Sequence, residues 1–277
     1  MVEPILRHGV YLPPFGPLGD PSTLVDLAVR AEAAGWDGVF LWDHVATDFP
    51  PIADPWTTLA AIAQATSRIL VGPTVTPLPR RRPWLVARQA ATVSRLSGGR
   101  LVVGAGIGTD ESGDQSRFGE VEDASTRGDM LDEGLAVLRA MWAGEAVCHR
   151  GTHYRVDLPE TEPEPYPIPV WLAASTHHRR VLRRAAAHDG IFPNTGTLPT
   201  PEEIAGLLTA LRAEGLPGDK PFDVVVTGNA SHGWPEPHHV DLAGLHDAGM
   251  TWWMESLIHF DPLDMSLAVV DAGPPRV

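Results

Sequence analysis

The chain has 277 residues, a formal net charge of −14 and a pI near 5.2. That length supplies one large core, so a single domain over residues 1–277 is expected. The acidic balance excludes a nucleic-acid partner, which needs a basic stripe to neutralise phosphates, and the single Cys148 excludes an internal disulfide or a cysteine zinc site.

Eight strand signals alternate with helix signals. Residues 8–12 form the first strand. Residues 23–34 follow as a helix with Leu24, Leu27, Ala28 and Ala31 on one face, ended by Gly35. Residues 38–42 are strand two. Asp54-Pro55 then caps a helix over 56–66. The β-branched run 69–75 suits a strand buried on both faces. Pro83 opens the helix over 84–96, which stops at Ser97-Gly98-Gly99. Residues 101–105 make strand four and run into the glycine loop Gly104-Ala105-Gly106-Ile107-Gly108, whose backbone N–H groups suit an anion.

A long helix follows over 124–143. Residues 151–156 then predict a short strand or hairpin, and 160–169 a proline-rich, acidic loop, either a lid or plain surface. Strand–helix pairs resume at 170–173 with 177–187, 190–192 with 201–213, 222–227 with 242–248, and 251–255 with 262–270. Eight such pairs predict a (β/α)₈ TIM barrel with a short insertion between helix four and strand five. An open dinucleotide sheet is the alternative, but its glycine fingerprint belongs after the first strand.

In a barrel the C-terminal strand ends carry the chemistry. Those ends hold Tyr11, Trp42-Asp43-His44, Thr74-Val75-Thr76, Gly106-Ile107-Gly108, Ala174-Ser175-Thr176, Asn194 and Glu255. His44 exchanges a proton near neutral pH, and Asp43 is the adjacent carboxylate, although strand alternation turns the two apart. Ser175-Thr176 opens a helix whose positive end suits a phosphate, or is an ordinary cap. Glu255 is a second acid or an ion-pair partner. Trp42, Trp56 and Trp253 are the tryptophans expected near the pocket. Arg80-Arg81-Arg82 reads either as a solvated loop or as a contact to an acidic ligand tail. No His/carboxylate spacing suggests a metal, and no G-x-S-x-G elbow suggests a serine hydrolase. Residues 1–11 lack a charged-then-apolar signal, and no apolar run approaches the ~18–20 residues that span a bilayer, so a cytoplasmic protein away from membranes is expected.

Several motifs in order resemble the bacterial luciferase-like family of flavin- and deazaflavin-dependent oxidoreductases. They are Ala31–Asp37 running into Trp42-Asp43-His44, Val71–Pro77, Leu96–Arg100 with its glycine loop, Pro169–Ser175, and Asp189–Pro193. The resemblance implies a non-proline cis peptide between Thr74 and Val75, behind the cofactor ring. It places Gly106, Ile107 and Gly108 near the cofactor tail, Ala174, Ser175 and Thr176 at its phosphate, and His44 beside the reactive ring. It implies coenzyme F420, a deazaflavin that carries hydride, with His44 as proton donor or acceptor on a small-molecule substrate. The alternative is FMN in a monooxygenase fed by a separate flavin reductase. A homodimer is expected by the same analogy. A non-catalytic flavin-binding barrel is the rival class. A phosphosugar isomerase or aldolase would want a lysine at a strand end, and the only lysine, Lys220, precedes strand seven.

Overall fold

A computed structural model describes residues 5–159, 166–174, 178–230 and 240–276. The first half of the chain builds β1 (Arg7–Leu12), α1 (Pro21–Ala34), β2 (Gly38–Leu41), α2 (Pro55–Ala65), β3 (Leu70–Pro73), β4 (Thr76–Pro77), α3 (Pro83–Ser97), β5 (Val103–Gly106) and α4 (Ala124–Trp142). The second half adds β6 (Val147–Arg150), β7 (Arg155–Leu158), β8 (Val170–Ala174), α5 (Arg179–Ala186), β9 (Gly190–Pro193), α6 (Pro201–Ala213), β10 (Asp223–Gly228), α7 (Leu242–Asp247), β11 (Trp252–Ser256) and α8 (Leu263–Ala272).

The helix boundaries follow the local chemistry. Asp20, Asp54 and Asp123 each accept a backbone N–H three residues on, and Thr200 with Glu203 makes a capping box. Gly98, at φ +65°, closes α3 in the left-handed geometry that its missing Cβ permits.

Nine parallel strands run in the order β3-β2-β1-β11-β10-β9-β8-β5-β4. The ring closes where Thr76 pairs Ala105 and Val71 bridges to Leu101. β3 and β4 are thus one stave broken at the Thr74–Val75 peptide, which is cis, as the resemblance implied. Counted that way, the sheet is the expected eight-stave barrel. The insertion is also present: β6 and β7 pair antiparallel as a hairpin between α4 and β8.

Strand alternation splits the apolar residues into two layers. Phe40, Val102, Trp171, Phe192, Val225, Trp252 and Met254 fill the barrel. Val10, Val39, Val71, Val103, Leu172, Ile191 and Trp253 pack outward against the helices. The inner plug is aromatic, with Phe40, Trp171 and Trp252 centred 5.2–5.6 Å apart. Glycines make room for it: a Cβ at Gly38 would overlap the Phe40 ring, and one at Gly190 the Trp171 indole. Among the described residues no helix is long and apolar enough to cross a membrane.

Candidate active site at the barrel mouth

At the end of β2 the chain turns adjacent side chains into different surroundings. The Asp43 carboxylate is fully buried. It accepts from Thr76 Oγ1 at 2.9 Å, Arg80 Nη2 at 3.1 Å, Arg81 Nε at 2.9 Å and Arg81 Nη2 at 2.6 Å. Thr76 Oγ1 in turn accepts from Trp56 Nε1. The arginine run is therefore neither a solvated loop nor an open cation site across Arg80 and Arg81. A buried carboxylate that would be costly alone is compensated by two guanidiniums.

His44 turns toward the mouth, and its carboxylate partner is Asp114, from the loop after β5. Nδ1 lies 2.5 Å from Asp114 Oδ2, while Asp114 Oδ1 accepts from the backbone N–H groups of Val45 and Ala46 at 2.8 and 2.9 Å. Burial opposes the charge on Asp114, but the His44 ring and the two N–H groups overcome it and hold the carboxyl down to about 2. An ionised Asp114 only accepts, so Nδ1 carries the hydrogen and Nε2 is left as the ring's acceptor. Arg80 Nη1 stands 3.7 Å from Asp114 Oδ1, which links the two carboxylates through one guanidinium.

Aromatic rings floor and wall this mouth. Tyr11 lies 5.3 Å from Trp42 and 5.8 Å from Phe192. Phe15 contacts the rings of Trp42, His44 and His259. Burial holds the His259 pKa below its ordinary value; Asp261 opposes this and His44 adds to it.

The other sequence-derived candidates divide. Val75 packs with the inner cluster, and Gly106 sits where a Cβ would press on Val75 and Ala173. Gly108, at φ +76°, lies against Pro77 and the Gln115 amide. Thr76 faces the Asp43 network instead, while Ile107 and Ala174 pack on the outer core. Ser175 and Thr176 lie outside the described residues. Glu255 is buried on the outward side of β11, where it accepts from Trp253 Nε1 at 2.9 Å and Ala230 N at 3.1 Å. Of the three tryptophans expected near the pocket, Trp42 lies against Tyr11 and His44; Trp56, buried on α2, donates Nε1 to Thr76 Oγ1 behind Asp43, and Trp253 faces outward from β11, with its Nε1 on Glu255.

Several buried polar atoms on or just after the strand ends have no hydrogen-bond partner among the described residues, among them Trp42 Nε1, Thr74 Oγ1, Thr227 Oγ1, His259 Nδ1 and both ends of the Gln115 amide. Left so, each costs free energy, which suits side chains that meet a ligand with donors and acceptors of its own. Sequence reasoning missed Asp114 and Gln115. They follow the glycine loop with no recognisable spacing to His44, which is 70 residues away from Asp114.

A luciferase-like monooxygenase family model matches residues 7–236. An F420-dependent glucose-6-phosphate dehydrogenase of Nakamurella multipartita is 33% identical over 188 residues, covering 65% of this chain and 54% of that protein. An F420-dependent hydroxymycolic acid dehydrogenase of Mycobacterium tuberculosis is 34% identical over 163 residues, covering 55% of this chain and 43% of that protein. The chain thus spans about half the length of these curated relatives. The solved structure of an F420-dependent secondary alcohol dehydrogenase in complex with an F420-acetone adduct is similar at TM-score 0.75 and 18% identity, covering 98% of this chain and 100% of that one. The chain belongs to the luciferase-like monooxygenase family.

Proposed function

We propose that the chain is an oxidoreductase that moves hydride between coenzyme F420 and a small organic substrate, with His44 handling the proton. The observation that carries this reading is the His44–Asp114 pair at the strand ends, with the rings of Phe15 and Trp42 against His44. The F420-dependent relatives favour the deazaflavin over FMN.

Thr74 and Val75 would lie behind the cofactor ring and Gly106 and Gly108 near its tail, and the Gln115 amide, against Gly108, would take a polar atom of the cofactor. When bound, a deazaflavin supplies or accepts a hydride and does not support oxygen chemistry; the protein supplies position and electrostatics. His44 Nε2 gives or takes the proton of the substrate oxygen. Asp114 holds Nδ1–H toward itself, which fixes the tautomer and stabilises the imidazolium that forms. Tyr11, Trp42 and Phe15 exclude water around that proton. Asp43 and Glu255 act as structural carboxylates in this reading, because each is buried and bonded away from His44.

Paired fluorescence titrations of the purified protein with F420 and with FMN test the assignment. Tight binding of F420 alone supports it. A preference for FMN redirects it to a monooxygenase supplied by a separate reductase. Binding of neither by folded protein overturns it.

A further inference from the structure

Asp114 and Gln115 are neighbours in the loop over residues 107–123, and both are enclosed there, at 2% and 1% exposure. The loop leaves β5, whereas His44 follows β2, and the β3–β4 stave stands between the two. The Asp114–His44 contact therefore spans the end of that stave. Within the loop, Asp110 Oδ1 accepts from Gln115 N at 2.8 Å and from Ser116 N at 3.1 Å, and Gly113 N donates to the Asp110 carbonyl. Residues 110–116 thus form one compact turn. Gly108 at φ +76° and Gly119 at φ +68° bracket it in left-handed geometry.

The docking of this turn rests on a balance between its two enclosed side chains. Asp114 favours docking, through His44 Nδ1 and the N–H groups of Val45 and Ala46. Gln115 opposes it. Its amide is buried with neither end bonded among the described residues, and a Cβ on Gly108 would come within 2.9 Å of its Nε2. In water the same amide would be hydrogen-bonded at both ends, so burial without a partner costs free energy. The loop's other described ties are weaker. Residues 116–125 are exposed, Arg117 meets Asp48 in an exposed pair at 3.3 Å, and Arg127 reaches the Gly108 and Val121 carbonyls at 3.4 Å.

We propose that Gln115 couples cofactor binding to the assembly of the proton-handling pair: when its amide gains a partner from the cofactor, Asp114 is seated on His44. The inference rests on the F420 reading above and adds regulation to the same site. A ligand shifts an equilibrium by its differential affinity for the two states, and only the docked turn presents the Gln115 amide beside Gly108. Asp114 follows because one peptide joins it to Gln115. The free protein then spends part of its time with His44 unsupported, and the bound protein does not.

Amide hydrogen exchange of the full chain, with and without F420, tests this, because Asp114 itself accepts from Val45 N and Ala46 N. Saturating F420 is expected to slow exchange at both amides roughly tenfold, the weight of one unpaired buried amide in the docking equilibrium. Gln115→Leu removes that amide at similar size. Its turn should dock unaided, so Val45 and Ala46 should exchange about tenfold more slowly than in the native free protein, with no further gain from F420. Bound F420 with unaltered exchange at Val45 and Ala46 would overturn the proposal and leave the cofactor reading standing. So would a Gln115→Leu protein that exchanges like the native one when free. Equal protection by F420 in both proteins would also overturn it, since direct shielding by the cofactor gives that result. Native protein that takes no F420 by fluorescence would remove the cofactor reading and this inference with it.

Discussion

Asp43 and His44 are neighbours in sequence and opposites in environment. Asp43 is enclosed, and its carboxylate oxygens accept from a hydroxyl and two guanidiniums. His44 is one-quarter exposed, with one ring nitrogen fixed by Asp114. A buried polar group with every bond satisfied does structural work. One held on a single side, amid polar atoms that lack partners, is poised for a ligand. On the function proposed above, Asp43 serves the fold and His44 the chemistry.

The sharpest way to break it is His44→Ala. Turnover is expected to fall about 10²–10⁴-fold, the usual contribution of a positioned acid–base group, while F420 still binds by fluorescence titration. Loss of binding with turnover would place His44 in cofactor retention instead. Asp43→Ala should act on the other scale. It leaves Arg80 and Arg81 buried without their anion, so chemical denaturation is expected to show a loss of about 3–5 kcal/mol. A stable but inactive Asp43→Ala protein would reverse the two assignments.

Asp114→Asn sharpens the comparison at an intermediate level. By analogy with carboxylates that orient metal-bound imidazoles, it should cost about 10–100-fold in kcat. A stability effect accompanies it. The folded Asp114 carboxyl is held at about 2 against an ordinary 3.8, so its contribution is complete above the ordinary value and is lost as pH falls toward 2. His188 acts at milder acidity. Burial keeps its imidazole down to about 4 against an ordinary 6.5, so the unfolded chain binds its proton first and stability declines as pH drops below 6.5. Acid unfolding monitored by circular dichroism should therefore begin with His188, and Asp114→Asn should flatten only the lower part of the curve. The smallest expected effect is on turnover in Glu255→Gln, within about threefold, since the conservative amide leaves the mouth untouched. A large loss of kcat would bring Glu255 back as an acid.

The sequence by itself determined the staves, the helices and their order. Periodicity, capping pairs such as Asp54-Pro55 and glycine stops such as Gly98 act over a few residues, so they can be read without knowing the neighbours. Family resemblance added the place of the Thr74–Val75 break and marked His44. Tertiary structure alone decided the partners. Asp114 reaches His44 across 70 residues, Arg80 and Arg81 turn onto Asp43, Trp56 reaches Thr76 beside it, and Trp253 and Glu255 face outward from β11. Which carboxylate meets which cation depends on how the loops return after the barrel closes. That closure is a property of the whole ring, held by the Val71–Leu101 and Thr76–Ala105 pairings and not by any local pattern.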